Sequence, residues 1–220
     1  MHLLATLKKD MLLQWQTRGQ FLAIFVFGAT ALLLFSFAIG PNAEALRLHA
    51  AGFLWLALLL SSTLTLSESF QTEMEQKALE GLLLLPAGQR ALYYGKAIAN
   101  WLQLSLLGMA LLPVMVVLYD AEIPRVGALI GIVLLGSAGL SAPGTLYAAM
   151  ASQARAKQTL LPLLLFPLVV PVLLASVKAS SLLLSGDPMG QVRSWATLLI
   201  SFDLIYWSLC GLLFDRIVED

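Results

Sequence analysis

The sequence contains little charge and a single cysteine. Charged residues make up only 12% of its 220 residues, whereas soluble globular domains carry roughly 25%. One cysteine, Cys210, excludes a disulfide framework or a cysteine-based zinc site within the chain. The formal net charge is +0, so no overall field attracts nucleic acid. These absences exclude an ordinary soluble domain, a disulfide-stapled secreted domain and a basic nucleic-acid-binding domain.

Motifs for nucleotide binding and for hydrolysis are also missing. No G-x-x-x-x-G-K-[ST] phosphate loop occurs, so any ATP that this protein uses is bound by another chain. There is no H-E-x-x-H zinc motif and no nucleophile elbow, and the two histidines, His2 and His49, stand apart. We interpret His49 as a hydrogen-bonded residue near the outer end of a span, with ligand contact as the alternative. The sequence therefore predicts no enzyme, no catalytic residue and no metal site.

Long apolar runs are what the sequence has in abundance. Hydrophobic residues make up 59% of the chain, and its mean hydropathy is +0.85. The runs are continuous and do not alternate with period two, which favours helices over a membrane barrel. We predict an all-α polytopic membrane bundle, a single transmembrane domain over residues 1–220 with six transmembrane helices. The predicted spans are about 21–40, 48–67, 97–118, 126–151, 159–180 and 195–214.

Glycines in the fourth predicted span and prolines in the fifth indicate two unusual helices. Small residues allow close helix approach, and the pair Gly127-xxx-Gly131 fits either a dimer face or packing within the chain. The fifth span contains Pro162, Pro167 and Pro171. These predict an irregular helix, which either bends or lines a path, or else only fits a curved bundle.

The stretch between the fifth and sixth spans is more polar than either. Residues 178–194 include Lys178, Asp187 and Arg193 around a short run of leucines. A run this short cannot cross a bilayer, which requires about 20 apolar residues. We predict a shallow, partly re-entrant cap over this stretch.

The N-terminal residues 1–20 are predicted to form an interfacial amphipathic helix. Leu4, Leu7, Met11 and Trp15 recur at helical spacing, with charged and polar residues between them. Such a pattern suits a helix that lies flat in the membrane interface.

The longest polar interruption of the chain is the segment 68–94, between the second and third predicted spans. Apolar residues there recur at helical spacing beside an acidic face, and Pro86 and Gly88 follow as breakers. We predict a cytoplasmic coupling helix that docks a soluble ATPase, with a solvated connector as the alternative. The predicted docking residues are Phe70, Glu73, Met74, Glu75, Leu79 and Glu80.

The distribution of lysine and arginine predicts which side of the membrane this segment faces. Six spans leave both termini on one side, and nine of the 13 basic residues fall on that side, against four on the other. Because positive charge accumulates on cytoplasmic loops, both termini and the coupling segment are predicted to be cytoplasmic. The four basic residues on the outer side are Arg47, Arg125, Lys178 and Arg193.

Asp203 is an acid well inside an apolar span. An ionised carboxylate there costs about 2.5–3.5 kcal/mol on insertion scales unless it is paired or neutral. Asp203 is therefore predicted not to face lipid. A structural hydrogen bond or an ion pair with Lys178 is one interpretation, and a position lining a polar path is the other.

The order of segments resembles a known class of transporter. An interface helix, two spans, the polar stretch from Phe70 to Pro86 and then four spans resemble the membrane subunit of ABC-2-type ATP-binding-cassette exporters. More closely, Glu68-Ser-Phe-Gln, Leu79-Glu-Gly-Leu-Leu-Leu-Leu-Pro86 and the turn Arg155-Ala-Lys157 resemble the haem exporter protein B family, CcmB, of cytochrome c maturation. The resemblance covers nearly the whole chain.

The resemblance implies partners and a task in the bacterial inner membrane. The partners are a second copy of the chain, two copies of a soluble ATPase subunit, a haem-handling membrane subunit, a small single-span subunit and a periplasmic haem chaperone. The implied task is to couple ATP hydrolysis by the ATPase to haem export or delivery, or to release of the loaded chaperone. ATP is expected on the partner and haem somewhere in the complex. No cofactor is assigned to this chain, because it offers no paired arrangement of haem ligands.

Two other function classes fit parts of the sequence. A non-transporting membrane scaffold would use the same docking helix to recruit the ATPase and hold the partners together. A secondary transporter fits less well, because apart from Asp203 the membrane interior lacks coupling carboxylates. An ATPase that co-purifies with the chain would favour the permease or the scaffold over the secondary transporter.

Overall fold

The computed structural model describes residues 18–75, 89–153 and 157–219, and all regular secondary structure within them is helical. Six helices in these ranges are long and apolar enough to cross a membrane. The predicted all-α membrane bundle is thus confirmed. The helices are α1 Arg18–Ile39, α2 Ala43–Glu75, α3 Gln89–Tyr119, α4 Val126–Gln153, α5 Lys157–Leu184 and α6 Val192–Glu219.

The two predicted segments outside the spans fall only partly within these ranges. Residues 1–17 of the predicted interface helix lie outside the described residues, and Arg18 already belongs to α1. Of the predicted coupling segment, residues 76–88 lie outside the described residues. Its first part, 68–75, is the last part of α2, and 89–94 is the first part of α3.

The length of α2 sets it apart from an ordinary span. It has 33 residues, which at about 1.5 Å per residue give roughly 50 Å, against a hydrocarbon thickness of about 30 Å. Its apolar part ends near Ser67, yet the backbone stays helical to Glu75. The polar stretch that follows the second span therefore continues the same rigid helix.

The prediction of a re-entrant cap over residues 178–194 is wrong. Lys178 lies inside α5, which continues to Leu184. The chain then turns and enters α6, and the Asp187 carboxylate accepts hydrogen bonds from the backbone N–H of Gln191, at 2.8 Å, and of Val192, at 3.3 Å. The prediction rests on the polar residues of this stretch, but Lys178 does not interrupt the helix. Near a helix end its long side chain can reach the headgroups while the helix continues.

The fifth helix is continuous in secondary structure from Lys157 to Leu184, so its prolines do not break it. Its backbone is helical on both sides of Pro162, Pro167 and Pro171. Pro167 and Pro171 are exposed, on the side of α5 that faces away from the other helices. A proline there removes a helix hydrogen bond without placing its ring between packed helices.

The fourth helix lies at the centre of the bundle and packs against α2, α3, α5 and α6. Its glycines make this possible. A Cβ built on Gly139 would lie 2.8 Å from Cγ1 of Val172, and one on Gly144 would collide with Leu66. By contrast, a Cβ on Gly127 or Gly131 would meet nothing within 4 Å. Packing within the chain therefore does not account for the Gly127-xxx-Gly131 pair.

Aromatic side chains of the neighbouring helices donate hydrogen bonds to backbone carbonyls of α4. The hydroxyl of Tyr93 lies 3.0 Å from the carbonyl oxygen of Ala142. The indole nitrogens of Trp101 and Trp207 reach the carbonyl oxygens of Leu134, at 2.9 Å, and Ala138, at 3.2 Å. Such bonds satisfy polar side-chain groups where no water is available, and they tie α3 and α6 to α4.

Candidate functional site

Four of the predicted docking residues lie on the last two turns of α2. The backbone positions of Phe70 and Met74 are one helical turn apart and share one face, and Glu73 and Glu75 flank them. Leu79 and Glu80, the other two predicted docking residues, lie outside the described residues. The structure thus gathers four of the six on one helix end.

The same helix is fixed deep in the bundle. The indole nitrogen of Trp55 donates a hydrogen bond to Oγ of Ser180 on α5, at 3.0 Å, and both side chains are buried. Nearer the C-terminal end of α2, Leu66 is fully buried against the glycine face of α4 at Gly144. These two side chains place α2 in direct contact with α4 and α5.

Asp203 lies near the middle of α6, on the face that packs against the other helices. The residues one turn before it and two turns after it, Leu199 and Cys210, are buried, whereas Ile200 and Leu204 are exposed. The side chain of Asp203 is partly buried and its Oδ1 atom is inaccessible. A Cβ on Gly139 of α4 would lie 2.9 Å from that oxygen. The carboxyl group thus sits where α6 meets the glycine face of α4.

The buried oxygen of Asp203 has no partner. Oδ1 makes no hydrogen bond, and Lys178 is exposed with no ion pair to Asp203 within the described part of the chain. The interpretation of an ion pair with Lys178 is therefore wrong. Lys178 lies near the C-terminal end of α5, about two turns beyond the level of Val172, which packs beside Gly139.

Sequence reasoning missed several buried serines that also lack partners. The hydroxyls of Ser105 on α3, Ser137 on α4 and Ser176 on α5 are buried and make no hydrogen bond. A Cβ on Gly136 would lie 2.5 Å from Oγ of Ser176, so this hydroxyl faces α4 one turn from Gly139. The helical spacing Ser137–Ser141 and Ser176–Ser180 was a signal in the sequence that these faces are polar.

A second group of polar and aromatic side chains lies at the other end of α2. Nδ1 of His49 lies 2.8 Å from the carbonyl oxygen of Ala45, and its ring stacks on Phe53, with centroids 5.9 Å apart. Phe53 in turn stacks on Phe35 of α1 at 4.8 Å. The imidazole is exposed. In the sequence His49 is an isolated residue, because no local pattern indicates that Phe35 of α1 packs next to Phe53.

An exposed ion pair joins two helices at this end. Arg47 at the start of α2 pairs with Asp120, just after the last residue of α3. Asp120 has a φ of 49°, a left-handed conformation that aspartate tolerates better than most residues. The start of α2 and the end of α3 therefore lie on the same side of the bundle. Among the described residues, no cluster of three or more His, Cys, Asp or Glu could hold a bare metal ion.

Comparisons with known proteins identify similar chains. A family model described as CcmB protein matches residues 1–214. Heme exporter protein B of Rhodobacter capsulatus is 34% identical over 170 residues, which cover 77% of this chain and 78% of that protein. Heme exporter protein B of Paracoccus denitrificans is 32% identical over 186 residues, covering 84% and 85%. The match thus extends over most of the length of both chains.

The contact between α4 and α6 predicts the effect of a single methyl group. In Gly139→Ala the added Cβ would lie 2.9 Å from Oδ1 of Asp203 and 2.8 Å from Val172, so the helices must separate. Overpacking of this kind costs about 1–3 kcal/mol. We expect a lower thermal unfolding temperature of the purified protein, measured in detergent. Gly131→Ala, whose Cβ meets nothing within 4 Å, is the matched control.

The same experiment can contradict the contact between α4 and α6 at Gly139 and Asp203. Equal unfolding temperatures for Gly139→Ala and Gly131→Ala would mean that α4 and α6 are not in contact at Asp203. Asp203→Asn keeps the volume and removes no hydrogen bond from Oδ1, so we expect little or no loss of stability from it.

Proposed function

The chain belongs to the CcmB protein family, and from this premise we propose that it is the membrane permease subunit of an ATP-binding-cassette complex for cytochrome c biogenesis. Its relatives are named heme exporter protein B, which supports haem as the cargo of the complex. The chain has no phosphate-binding loop of its own. ATP hydrolysis therefore belongs to a separate soluble subunit, and this chain couples that hydrolysis to haem export or delivery, or to release of the haem-loaded periplasmic chaperone.

The proposed complex contains several chains besides this one. Two copies of the ATPase subunit would dock on two copies of this subunit, one on each coupling segment. A haem-handling membrane subunit and a small single-span subunit would complete the membrane part, and the periplasmic haem chaperone would bind from outside. Isolation of the complex from the membrane, with identification of its subunits and of bound haem by absorbance, tests this composition.

The continuity of α2 is the observation that carries the proposal. A helix that runs without a break from Trp55 in the bundle to Glu75 at its polar end can transmit motion over its whole length. At the polar end, the positions of Phe70 and Met74 share one face of the helix and those of Glu73 and Glu75 flank it on either side, a pattern that fits a helix that docks in a groove. At the other end, contacts with α4 and α5 receive the motion.

Asp203 has a proposed role in this motion. Its Oδ1 is buried without a partner at the contact between α6 and α4, beside residues of α5. A buried polar group without a hydrogen bond is stabilised when the helices separate, because water or a polar part of the cargo can then bond to it. We therefore propose that Asp203 lines a polar path in the open state. Lower cytochrome c yield from Asp203→Asn, at a normal amount of membrane protein, is the expected sign of that role.

Docking of the ATPase predicts different behaviour for apolar and charged residues. Phe70→Ala removes a proposed aromatic anchor, which at an interface hot spot costs about 2 kcal/mol or more. Glu75→Lys acts through charge, so its effect should weaken as salt is raised. We expect both variants to insert and both to co-purify less ATPase, the second mainly at low salt. Thr72→Ala, at the helix position opposite Phe70, should retain the ATPase. Full retention by Phe70→Ala and Glu75→Lys would leave the segment a simple connector.

The continuity of α2 predicts a variant that binds the ATPase but does not couple. Proline in a helix interior removes a hydrogen bond and costs about 3 kcal/mol, so Ser69→Pro should interrupt α2 between the docking residues and the bundle. We expect ATPase co-purification to persist and cytochrome c maturation to fall, whereas Ser69→Ala should keep both. Normal maturation by Ser69→Pro would favour the alternative function, a scaffold that only recruits the ATPase, because recruitment does not require a continuous helix.

The orientation in the inner membrane is part of the proposal. With nine of 13 basic residues on the side of the termini, both termini and the docking residues would be cytoplasmic. Met189, 80% exposed in the α5–α6 turn, would then face the periplasm. We expect Met189→Cys to react with an impermeant thiol reagent in intact cells and Gln76→Cys to react only after lysis; Cys210 is buried and should not compete. The reverse pattern would overturn the orientation.

A further inference from the structure

The imidazole of His49 is held in a fixed orientation with one nitrogen free. Its Nδ1 lies 2.8 Å from the carbonyl oxygen of Ala45, and since a carbonyl oxygen only accepts, Nδ1 carries the proton. In the neutral ring Nε2 then has the lone pair. Stacking on Phe53 fixes the plane of the ring, and Phe53 is itself stacked on Phe35. A histidine that donates one N–H to a backbone carbonyl and leaves the other nitrogen free has the usual arrangement of a metal ligand.

The face of α2 that carries His49 is open and apolar. Ala45, His49, Gly52 and Leu56 follow each other at intervals of four, three and four residues and share one face of α2. A Cβ on Gly52 would meet nothing within 4 Å, so the helix surface one turn after His49 is open. Leu48, 70% exposed, and Leu56, 39% exposed, lie along the same open strip.

The ligand that fits this arrangement is a metal bound in a planar organic ring. A bare metal ion needs several protein ligands, and no cluster of three or more His, Cys, Asp or Glu occurs among the described residues. A metalloporphyrin supplies four nitrogens itself and needs only an axial ligand, for which histidine is common. Its apolar ring can rest on leucine side chains. His49 lies about 9 Å from the first residue of α2, so the carboxylates of the ring can stay in water.

We propose that Nε2 of His49 is an axial ligand for haem iron, and that Gly52, Leu48 and Leu56 form the surface on which the macrocycle rests. The identity of the ligand rests on the proposed function in haem export. The site lies at the end of α2 opposite the ATPase-docking residues, beside the Arg47–Asp120 pair. Haem there would be at the membrane surface from which a periplasmic chaperone could receive it.

The test is a titration of the full-length protein in lipid nanodiscs with ferric haem and, separately, with metal-free protoporphyrin. His49→Ala should weaken haem binding about tenfold or more, since even the loss of a group that only orients a metal ligand costs about that much. It should also abolish the shift of the haem absorption band. Binding of the metal-free ring should be unchanged, because that ring has no iron to coordinate.

A second pair of variants tests the surface without touching the ligand. Gly52→Leu fills the open space beside His49 and should weaken binding of both haem and metal-free protoporphyrin. Gly127→Leu, on α4 and also in open space, is the matched control and should change neither. Unchanged haem affinity and spectrum in His49→Ala would overturn the proposal, as would the absence of saturable haem binding by the wild-type protein.

The failure of this proposal is distinguishable from failure of the proposed function. If His49→Ala binds haem normally while Phe70→Ala still loses the ATPase, only the haem site is wrong. If haem binding depends on His49 but the wild-type chain retains no ATPase, the site stands and the coupling function fails.

Discussion

The close approach of three helices to the glycine face of α4 is the constraint on which the rest of the structure depends. Lipid is as apolar as leucine, so burial of apolar surface does not drive helices together in a membrane, and packing and hydrogen bonds must do so. At Gly136, Gly139 and Gly144 there is no room for a Cβ against Trp55, Val172 and Leu66. The helices can therefore lie close enough for Trp207 to reach a backbone carbonyl of α4.

α2 consists of a part that is packed in the bundle and a polar part that extends beyond it. One part is fixed between α4 and α5 by Trp55 and Leu66, and the other leaves the apolar region as a polar helix that continues to Glu75. The proposed coupling uses this continuity, because an α-helix is stiff along its axis. The same packing leaves Oδ1 of Asp203 buried without a partner, which costs free energy in this arrangement of the helices.

The sequence was sufficient for the fold class and the family, because six long apolar runs permit few alternatives. It was insufficient where one residue type serves two purposes. Lys178 is one of the polar residues that predict a cap, yet it lies within α5. Gly127-xxx-Gly131 has the spacing of a general helix-packing motif, yet both glycines meet open space. The setting of His49 depends on Phe35, which α1 brings from a distant part of the chain. No local pattern in the sequence contains that information.

Transmission of motion by α2 from the ATPase into the bundle can be seen in structures of the complex with its ATPase, without nucleotide and with ATP trapped. We expect Phe70 and Met74 to contact the ATPase in both states and α2 to stay continuous to Glu75. We expect its contacts with α4 to differ between the states. An ATPase bound elsewhere on the chain, or an α2 that keeps the same contacts with α4 in both states, would contradict it.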